Sequence, residues 1–565
     1  MSIHPLRGVW FLSLIAIACS RPSSVPPAQS PSNVATVPPA AAKQPEAAPA
    51  ATTPKGVISD APSSCDDYVV KTEEACPIQS PVADKNAHVE ALTHLDAALS
   101  SPSNVAQNQK LATLERCGHF EPGLIAALRA DLAPAECADR IVEPWLTNSK
   151  MTLSLELSQL MRGLSIGARL MRAEVVPPTP PAPFTRQHFE AFLKEHIRPW
   201  YSAQSRAIYD LASEGSKLSG YGKAITAVEA GLSDLRFVEA VRRVPLPEEL
   251  RLDSELVEVY QQGLEDALEP RKLRGRDAIL VGLLHLGQQG VLDDRRFYRA
   301  QTQLMQLFAG SRIDALSGLL LPKLPDVDSS TVVGRLAAHL PPFYSDRLLT
   351  PEEVESPAVL RALLVRGLGP KLRQHVERLA YERPEIAQLF ARALLELGMK
   401  YFRPADFTRA TIILGTKGAL DGPSARETRL VAALSSALEG GPENTVQLML
   451  TGPMLPDSMG KIEKLQQLAK EKSVIGGLAA YDAAHLMTVI PQREPNPEHW
   501  EKAARAFDLA ASKLHDEKQI ALAKARAYDA RATAQQIRAG TPPSSGAKPP
   551  PVAKTPDPPQ ASLSQ

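Results

Sequence analysis

The sequence predicts an all-α protein, and three observations support that prediction. Apolar residues recur at spacings of three and four in segments rich in Leu, Ala, Arg, Glu and Gln, as in Ile386, Phe390, Leu394, Leu397 and Tyr401. Helix starts are marked where a capping residue precedes proline, at Thr350-Pro-Glu-Glu353 and at Asn496-Pro497-Glu498. Alternating strand patterns joined by Asn-Gly or Asp-Gly turns are not evident.

The length and charge of the chain limit its organisation and its partners. A chain of 565 residues is too long for one hydrophobic core, so two or three structural units are expected. Lysine plus arginine numbers 63 and aspartate plus glutamate numbers 63, which leaves no whole-chain charge to attract nucleic acid. No nucleic-acid partner is therefore predicted.

Residues 1–18 have the composition of a signal peptide. Arg7 supplies the positive start, and residues 9–18 form an almost wholly apolar run. Such a run has the length of a signal-peptide core and falls well short of the roughly 20 residues that a spanning helix needs. One alternative is an ordinary secretory signal in which the cysteine that follows, Cys19, has no role. The other is a buried apolar helix at the N-terminus.

The end of this segment, Ala16-Ile17-Ala18-Cys19, resembles the lipobox of bacterial lipoproteins, although Ala16 replaces the usual leucine. The resemblance implies that the Cys19 sulfur receives diacylglycerol and that the new N-terminus is acylated, so that acyl chains attach the protein to a membrane. Ser20 stands where an inner-membrane retention signal usually has aspartate. The resemblance therefore favours the outer membrane of a Gram-negative cell envelope, on its periplasmic face or at the surface.

Proline-rich segments divide the rest of the chain. Residues 19–63 are predicted to be a disordered linker, because prolines, alanines and serines leave almost no large apolar residue there. Residues 175–184 are predicted to form a stiff polyproline hinge, and residues 540–565 a disordered tail. These boundaries predict a small helical domain at 64–174 and a helical-repeat domain at 185–539.

The four remaining cysteines, Cys65, Cys76, Cys117 and Cys137, all lie in the first predicted domain. An even set in an exported domain predicts two disulfides, and no spacing matches the short one between zinc-ligating cysteines. The segment from Cys65 to Cys76 is predicted to be one helix, whose ends lie too far apart for a disulfide. The first two cysteines should therefore bond to the later two, and antiparallel helices favour Cys65–Cys137 with Cys76–Cys117.

The second predicted domain contains segments that resemble tetratricopeptide repeats, which are helix hairpins with small and aromatic residues at fixed packing positions. The matching residues fall in three places: Ala212 with Ala224; Gly398, Tyr401, Ala410 and Leu414; and Ala503, Phe507 and Ala510. The resemblance implies that these residues pack paired helices and that the stacked hairpins form a solenoid with an extended binding surface. An irregular helical bundle or another α-solenoid is the alternative.

One catalytic pattern matches the sequence as a string of letters. Gly163, Ser165 and Gly167 spell the elbow motif of serine hydrolases, which requires a strand before the serine and a helix after it. The residues before Gly163 are predicted to be helical, so close helix packing is the favoured interpretation. No catalytic residue, cofactor or metal is predicted.

Two charged clusters have structural interpretations. Glu248 and Glu249 follow Pro247 and are interpreted as the acidic start of a helix. The basic run from Arg271 to Arg276 is interpreted as a solvated helix end at which Gly275 stops the helix, with an anion site as the alternative.

These features predict an envelope lipoprotein that binds an unidentified envelope protein, as a scaffold or assembly factor, and that is not an enzyme. The alternative is an envelope enzyme, for example one that acts on the cell wall, with an unrecognised site. A deep pocket lined by two or more close carboxylates or histidines would favour the enzyme. A shallow groove without them would favour the binding protein.

The lipobox-like segment generates the first testable prediction. Cys19→Ala removes the sulfur that would carry the lipid, so the variant should move from the membrane pellet to the soluble periplasmic fraction. Cell fractionation followed by immunoblotting measures this. If the variant still sediments with membranes when no binding partner is present, the lipoprotein prediction fails.

Overall fold

The computed structural model describes residues 58–540 except 71–74, 83–84, 149–151, 174–175, 181, 308–315, 324–329, 416–422, 440–461 and 490–495. Within these residues the secondary structure is helical, apart from isolated bridges that pair Ile58 with Ala173 and Val291 with Gly367. The all-α prediction is therefore confirmed. The predicted signal peptide, Cys19, the tail from residue 541 and most of the predicted linker lie outside the described residues.

The described part of the chain contains 22 α-helices, numbered here in chain order. They are α1 (Lys85–Leu99), α2 (Asn104–Arg116), α3 (Leu124–Leu132), α4 (Ala138–Thr147), α5 (Leu155–Met171), α6 (Arg186–Phe192), α7 (Arg198–Ser216), α8 (Gly220–Arg242), α9 (Glu248–Arg251), α10 (Ser254–Gln288), α11 (Arg295–Leu307), α12 (Val332–His339), α13 (Pro342–Leu348), α14 (Pro357–Arg366), α15 (Pro370–Ala380), α16 (Pro384–Tyr401), α17 (Pro404–Gly415), α18 (Pro423–Leu438), α19 (Glu463–Leu468), α20 (Val474–Val489), α21 (Pro497–Lys513) and α22 (Glu517–Arg538). Short 3-10 helices cover Ser63–Tyr68, Ala135–Cys137 and Glu353–Glu355, and a π-helical turn covers Leu193–Ile197.

Both predicted helix starts form their capping contacts. The Thr350 N–H donates to Glu353 Oε2 at 2.7 Å, while the Glu353 N–H donates to Thr350 Oγ1 at 3.4 Å, which is the reciprocal capping box. The helix that follows is only the 3-10 turn Glu353–Glu355. Asn496 caps α21 by accepting from the Glu498 N–H at 2.9 Å.

Helix α8 lies at the centre of the fold, with most of its residues buried between α5 and α10. Glycines allow the close approach on both sides. A Cβ on Gly222 would lie 2.1 Å from the Gln159 carbonyl oxygen of α5, and a Cβ on Gly231 would lie 2.4 Å from the Gly275 carbonyl oxygen of α10. Because only hydrogen occupies these positions, the helix backbones approach more closely than side chains would permit.

One hydrophobic cluster extends from Tyr68 to Ala527 and includes helices on both sides of the proline-rich segment 175–184. Polar contacts also join residues that precede the proline-rich segment to residues that follow it. Arg296 of α11 donates to Asp131 of α3 at 2.7 Å, and both side chains are buried. The proline-rich segment therefore joins two parts of a shared core, whereas the sequence predicted a hinge between separate folded domains.

The two disulfides join Cys65 to Cys137 and Cys76 to Cys117, with Cα–Cα distances of 5.2 and 5.3 Å. This is the pairing that the sequence favoured. The predicted helix from Cys65 to Cys76 is wrong, because the 3-10 helix ends at Tyr68 and Val69 is extended. Extended backbone at Val69 turns the chain away from a helical path, so the argument from helix length does not explain the pairing.

The predicted linker runs to residue 63, yet its last residues pack against the folded part. Ile58 forms a bridge with Ala173 at the end of α5. The Ser59 hydroxyl donates to the Arg172 carbonyl oxygen at 2.9 Å, and the Arg172 Nε–H donates back to the Ser59 carbonyl oxygen at 3.0 Å. Ile58 and Ser59 therefore belong to the folded part of the chain, although the predicted linker includes them.

The helices of the C-terminal half pack in chain order. Each helix from α15 to α22 contacts the next one, and the α21–α22 pair is among the most extensive contacts. Helix pairs such as α16–α17 are joined by only two residues, Phe402 and Arg403, so they form hairpins. The wider solenoid arrangement remains a prediction.

The glycine contacts of α8 generate the second testable prediction. Gly222→Ala places a methyl group against the backbone of α5, where no side-chain rotation relieves the clash. Overpacking of this kind should lower the free energy of unfolding by about 1–3 kcal/mol, measured by thermal or urea unfolding of the full chain. Gly415→Ala is the matched control, because a Cβ there would meet no atom of the described residues within 4 Å. Equal stability of the two variants would contradict the close approach.

Candidate functional site

The residues predicted to pack tetratricopeptide-like hairpins all lie on helices. Ala212 and Leu414 are half-buried, and the others are buried: Ala224, Gly398, Tyr401, Ala410, Ala503, Phe507 and Ala510. They lie on α7 and α8, on α16 and α17, and on α21, and they do not form one site. Their burial is what a packing role requires, and none of them presents a reactive group to solvent.

Gly398 and Tyr401 illustrate this packing. A Cβ on Gly398 would lie 2.4 Å from Phe407 Cε1, so the glycine makes room for an aromatic ring of α17. The Tyr401 ring packs against the backbone of Gly287, and its hydroxyl donates to the Val291 carbonyl oxygen at 2.8 Å. Burial raises the pKa of Tyr401 well above its usual range, so the hydroxyl remains a hydrogen-bond donor.

The elbow-like motif is helical. Gly163, Ser165 and Gly167 are buried in α5, and the two glycines pack against Gly222 and Ile225 of α8. A buried serine in a helix lacks the strained, exposed turn that a nucleophile elbow needs. Close helix packing is therefore the structural role of this motif.

The two charged clusters have different outcomes. Glu248 and Glu249 begin α9 as predicted, and Glu249 also accepts from the Arg186 N–H at 2.7 Å. The interpretation of the basic run is wrong, because α10 continues through Gly275 as far as Gln288. Gly275 is a helix-crossing residue, and Arg271 is buried beside Asp234 of α8 at 3.0 Å. Arg274 donates to the same carboxylate, so both charges are used inside the protein.

A buried polar network connects α3, α8 and α11. Arg296 contacts Asp131 at 2.7 Å and Asp294 at 3.2 Å, and the Tyr221 hydroxyl donates to Asp294 at 2.6 Å. Burial would raise the pKa of Asp294, but Arg296 and the Tyr221 hydroxyl outweigh it and hold that pKa below its usual value. Every member is buried, so the network ties helices together and offers no access to a substrate.

A second buried cluster lies on α20. Asp482 is fully buried and accepts from the Leu320 N–H at 2.7 Å, while its other oxygen has no hydrogen-bond partner in the described residues. Tyr481 and His485 stack beside it, and Gly318 packs on the His485 ring. Burial raises the pKa of Asp482 well above its usual range. Asp482 therefore holds Leu320 by a hydrogen bond, in surroundings that favour the uncharged form of its carboxyl group.

An open cleft of about 720 Å³ is the candidate functional site. Its lining comes from the last turns of α8, from the last turns of α11 and from the proline-rich segment: Arg236, Glu239, Ala240, Arg242, Arg243, Gln303, Gln306, Leu307, Val176 and Pro177. Three arginines face one glutamate, so the cleft carries a local positive charge. We refer to it as the arginine cleft.

The sequence analysis did not identify the arginine cleft. Arg243 and Gln303 lie 60 positions apart, and no spacing pattern connects them. The pair Arg242 and Arg243 would by itself indicate only cations at the end of a helix, which the helix dipole favours. The packing of α11 beside α8 creates the cleft, and that contact is a property of the tertiary structure.

Among the residues that the structure describes, no group of three or more His, Cys, Asp or Glu side chains is arranged to hold a metal ion. None of the helices in the ranges given above is both long and apolar enough to cross a membrane. Comparisons with protein-family models, with curated proteins and with solved structures found no match for this chain.

The raised pKa of Asp482 generates the third testable prediction. An ordinary aspartate ionises above about pH 4, so the unfolded chain loses this proton at a lower pH than the folded chain does. Stability contributed by this group is therefore lost as the pH rises from about 4 toward the folded pKa. Asp482→Asn keeps the acceptor for Leu320 without the charge. In that pH range the free energy of unfolding of the variant should rise relative to that of the wild type by up to about 1.4 kcal/mol per pH unit.

Urea unfolding of the full chain between pH 4 and pH 8 measures this difference. Asp210→Asn is the control, because Asp210 is exposed and its charge is solvated in both states. A constant loss of stability in Asp482→Asn at every pH would show that the buried carboxyl group is ionised.

Proposed function

We propose that this protein is a membrane-anchored lipoprotein of the bacterial cell envelope that binds other proteins as a scaffold or assembly factor. The anchor is the acylated Cys19, which the lipobox-like segment implies. The C-terminal helix hairpins are proposed to stack as tetratricopeptide-like repeats, a form that supplies extended surfaces for protein partners.

The composition of the arginine cleft is the observation that supports a binding function most directly. Its charged lining among the described residues is Arg236, Arg242, Arg243 and Glu239, and neither a histidine nor a second carboxylate occurs in that part of the lining. Glu239 is paired with Arg242 at 3.1 Å, so it is not poised as a free acid or base. A cleft of this kind suits recognition of a partner better than proton transfer.

The alternative proposal, an envelope enzyme, requires accessible reactive groups. Tyr481, Asp482 and His485 bring three titratable side chains together on one helix, and all three are buried. Glu229 and Asp234 are also buried, and arginines neutralise them. These groups are explained by packing, so the observations favour the binding protein.

Affinity capture tests this proposal as the fourth prediction. Tagged full-length protein, purified from detergent-solubilised envelopes, should retain one or a few proteins that an unrelated lipoprotein with the same tag does not retain. Mass spectrometry identifies them, and analytical ultracentrifugation of the purified pair should show a complex of defined stoichiometry. If no captured protein forms such a complex, the scaffold function is wrong.

A further inference from the structure

The arginine cleft contains a guanidinium group, that of Arg243, which no described residue pairs. Arg236 donates to the carbonyl oxygens of Leu170 and Met171 at the end of α5, at 3.1 and 3.2 Å. Arg242 is paired with Glu265 and Glu239. Arg243 is exposed, and its side chain makes no ion pair or hydrogen bond with the residues that the structure describes. A bound carboxylate would therefore meet Arg243 first, in the two-point geometry that guanidinium groups favour.

The opposite wall supplies hydrogen-bonding groups that both donate and accept. Gln303 and Gln306 are three residues apart on α11, so they lie on one side of the helix. Neither amide forms a side-chain hydrogen bond with the described part of the chain. An amide offers an N–H and a C=O, which match the alternating N–H and C=O groups of a peptide backbone. A phosphate group would use only the donors.

Apolar surface completes the lining. This surface comes from Val176, Pro177, Ala240 and Leu307. Val176 is 66% exposed, so its side chain is available to a ligand. A volume of about 720 Å³ falls in the range that buries a compact ligand or a short piece of peptide. An extended peptide can place an apolar side chain here while its neighbour reaches Arg243, because successive side chains point to opposite sides.

We propose that the arginine cleft binds an acidic, extended peptide segment of the partner protein, with Arg243 pairing a carboxylate, Gln303 and Gln306 bonding the peptide backbone, and Val176 and Leu307 contacting an apolar side chain. This assignment rests on the proposed binding function and specifies the chemistry of the partner. A lipid headgroup would satisfy Arg243 but would leave the paired amides and the apolar wall unused.

Fluorescence anisotropy with the full-length protein tests this assignment. The probe is a labelled octapeptide of alternating glutamate and valine, and the comparison peptide has glutamine in place of glutamate. The acidic peptide should bind about tenfold more tightly or better, because a charge-assisted hydrogen bond is lost in the comparison. Binding should weaken as sodium chloride rises from about 50 to about 500 mM, because salt screens the attraction between exposed charges.

Arg243→Glu should reduce binding of the acidic peptide about tenfold or more, and Gln303→Ala should reduce it for both peptides. Arg198→Glu is the matched control, because Arg198 is exposed on α7 and does not line the cleft; its affinity should equal that of the wild type. Thermal unfolding should give the same midpoint for Arg243→Glu and Arg198→Glu. Equal affinity for the two peptides, or no effect of Arg243→Glu, would overturn the assignment.

Two further outcomes separate this assignment from its alternatives. If phosphatidylglycerol vesicles bind in an Arg243-dependent way and the acidic peptide does not, the cleft contacts lipid and the assignment is wrong. If Arg243→Glu captures the same envelope proteins as the wild type, the scaffold function stands and the cleft is not its binding site. If the wild type captures none, the scaffold function itself fails.

Discussion

The structure depends on the close approach of α8 to its two neighbours. At Gly222 and at Gly231 the backbone of α8 comes so near to α5 and α10 that a single methyl group would not fit. This contact leaves α8 buried along most of its 23 residues, and it brings helices from both sides of the proline-rich segment into one core. The orientation of the last turns of α8, where the arginine cleft forms, follows from the same contact.

A central helix that is buried on all sides must satisfy its own polar residues internally. Glu229 and Asp234 of α8 are buried, and an unpaired carboxylate there would be strongly destabilising. Arg299 of α11 contacts Glu229 at 2.9 Å, and Arg271 and Arg274 of α10 contact Asp234 at 3.0 and 2.7 Å. These pairs lie beside the glycine contacts, so a shift of α10 along α8 by one residue would break both the packing and the charge pairing. We infer that the two together select one register.

Local features of the fold could be predicted from the sequence, whereas contacts between distant segments could not. The apolar spacing of Ile386, Phe390 and Leu394 predicts the buried face of α16, because helix periodicity is a local property. Gly275 follows basic residues and so resembles a helix end, but in the structure it is the point at which α10 crosses α8. The predicted cysteine pairing is confirmed, but the helix from Cys65 to Cys76 on which it was based does not form. The arginine cleft forms only where three segments distant in sequence meet in space, and a local sequence pattern does not predict such a meeting.

The contact between Ile58 and Ala173 holds the first described residue near the arginine cleft. Val176, which lines the arginine cleft, follows Ala173 by three residues and so lies within about 11 Å of it along the chain. If Cys19 carries the anchor, about 39 residue steps connect the bilayer to this point, a span of about 120 Å when extended at about 3.1 Å per step and about 35 Å as a flexible coil. The attachment then limits how far the cleft can lie from the bilayer. A partner whose acidic segment lies beyond that distance cannot bind in the cleft.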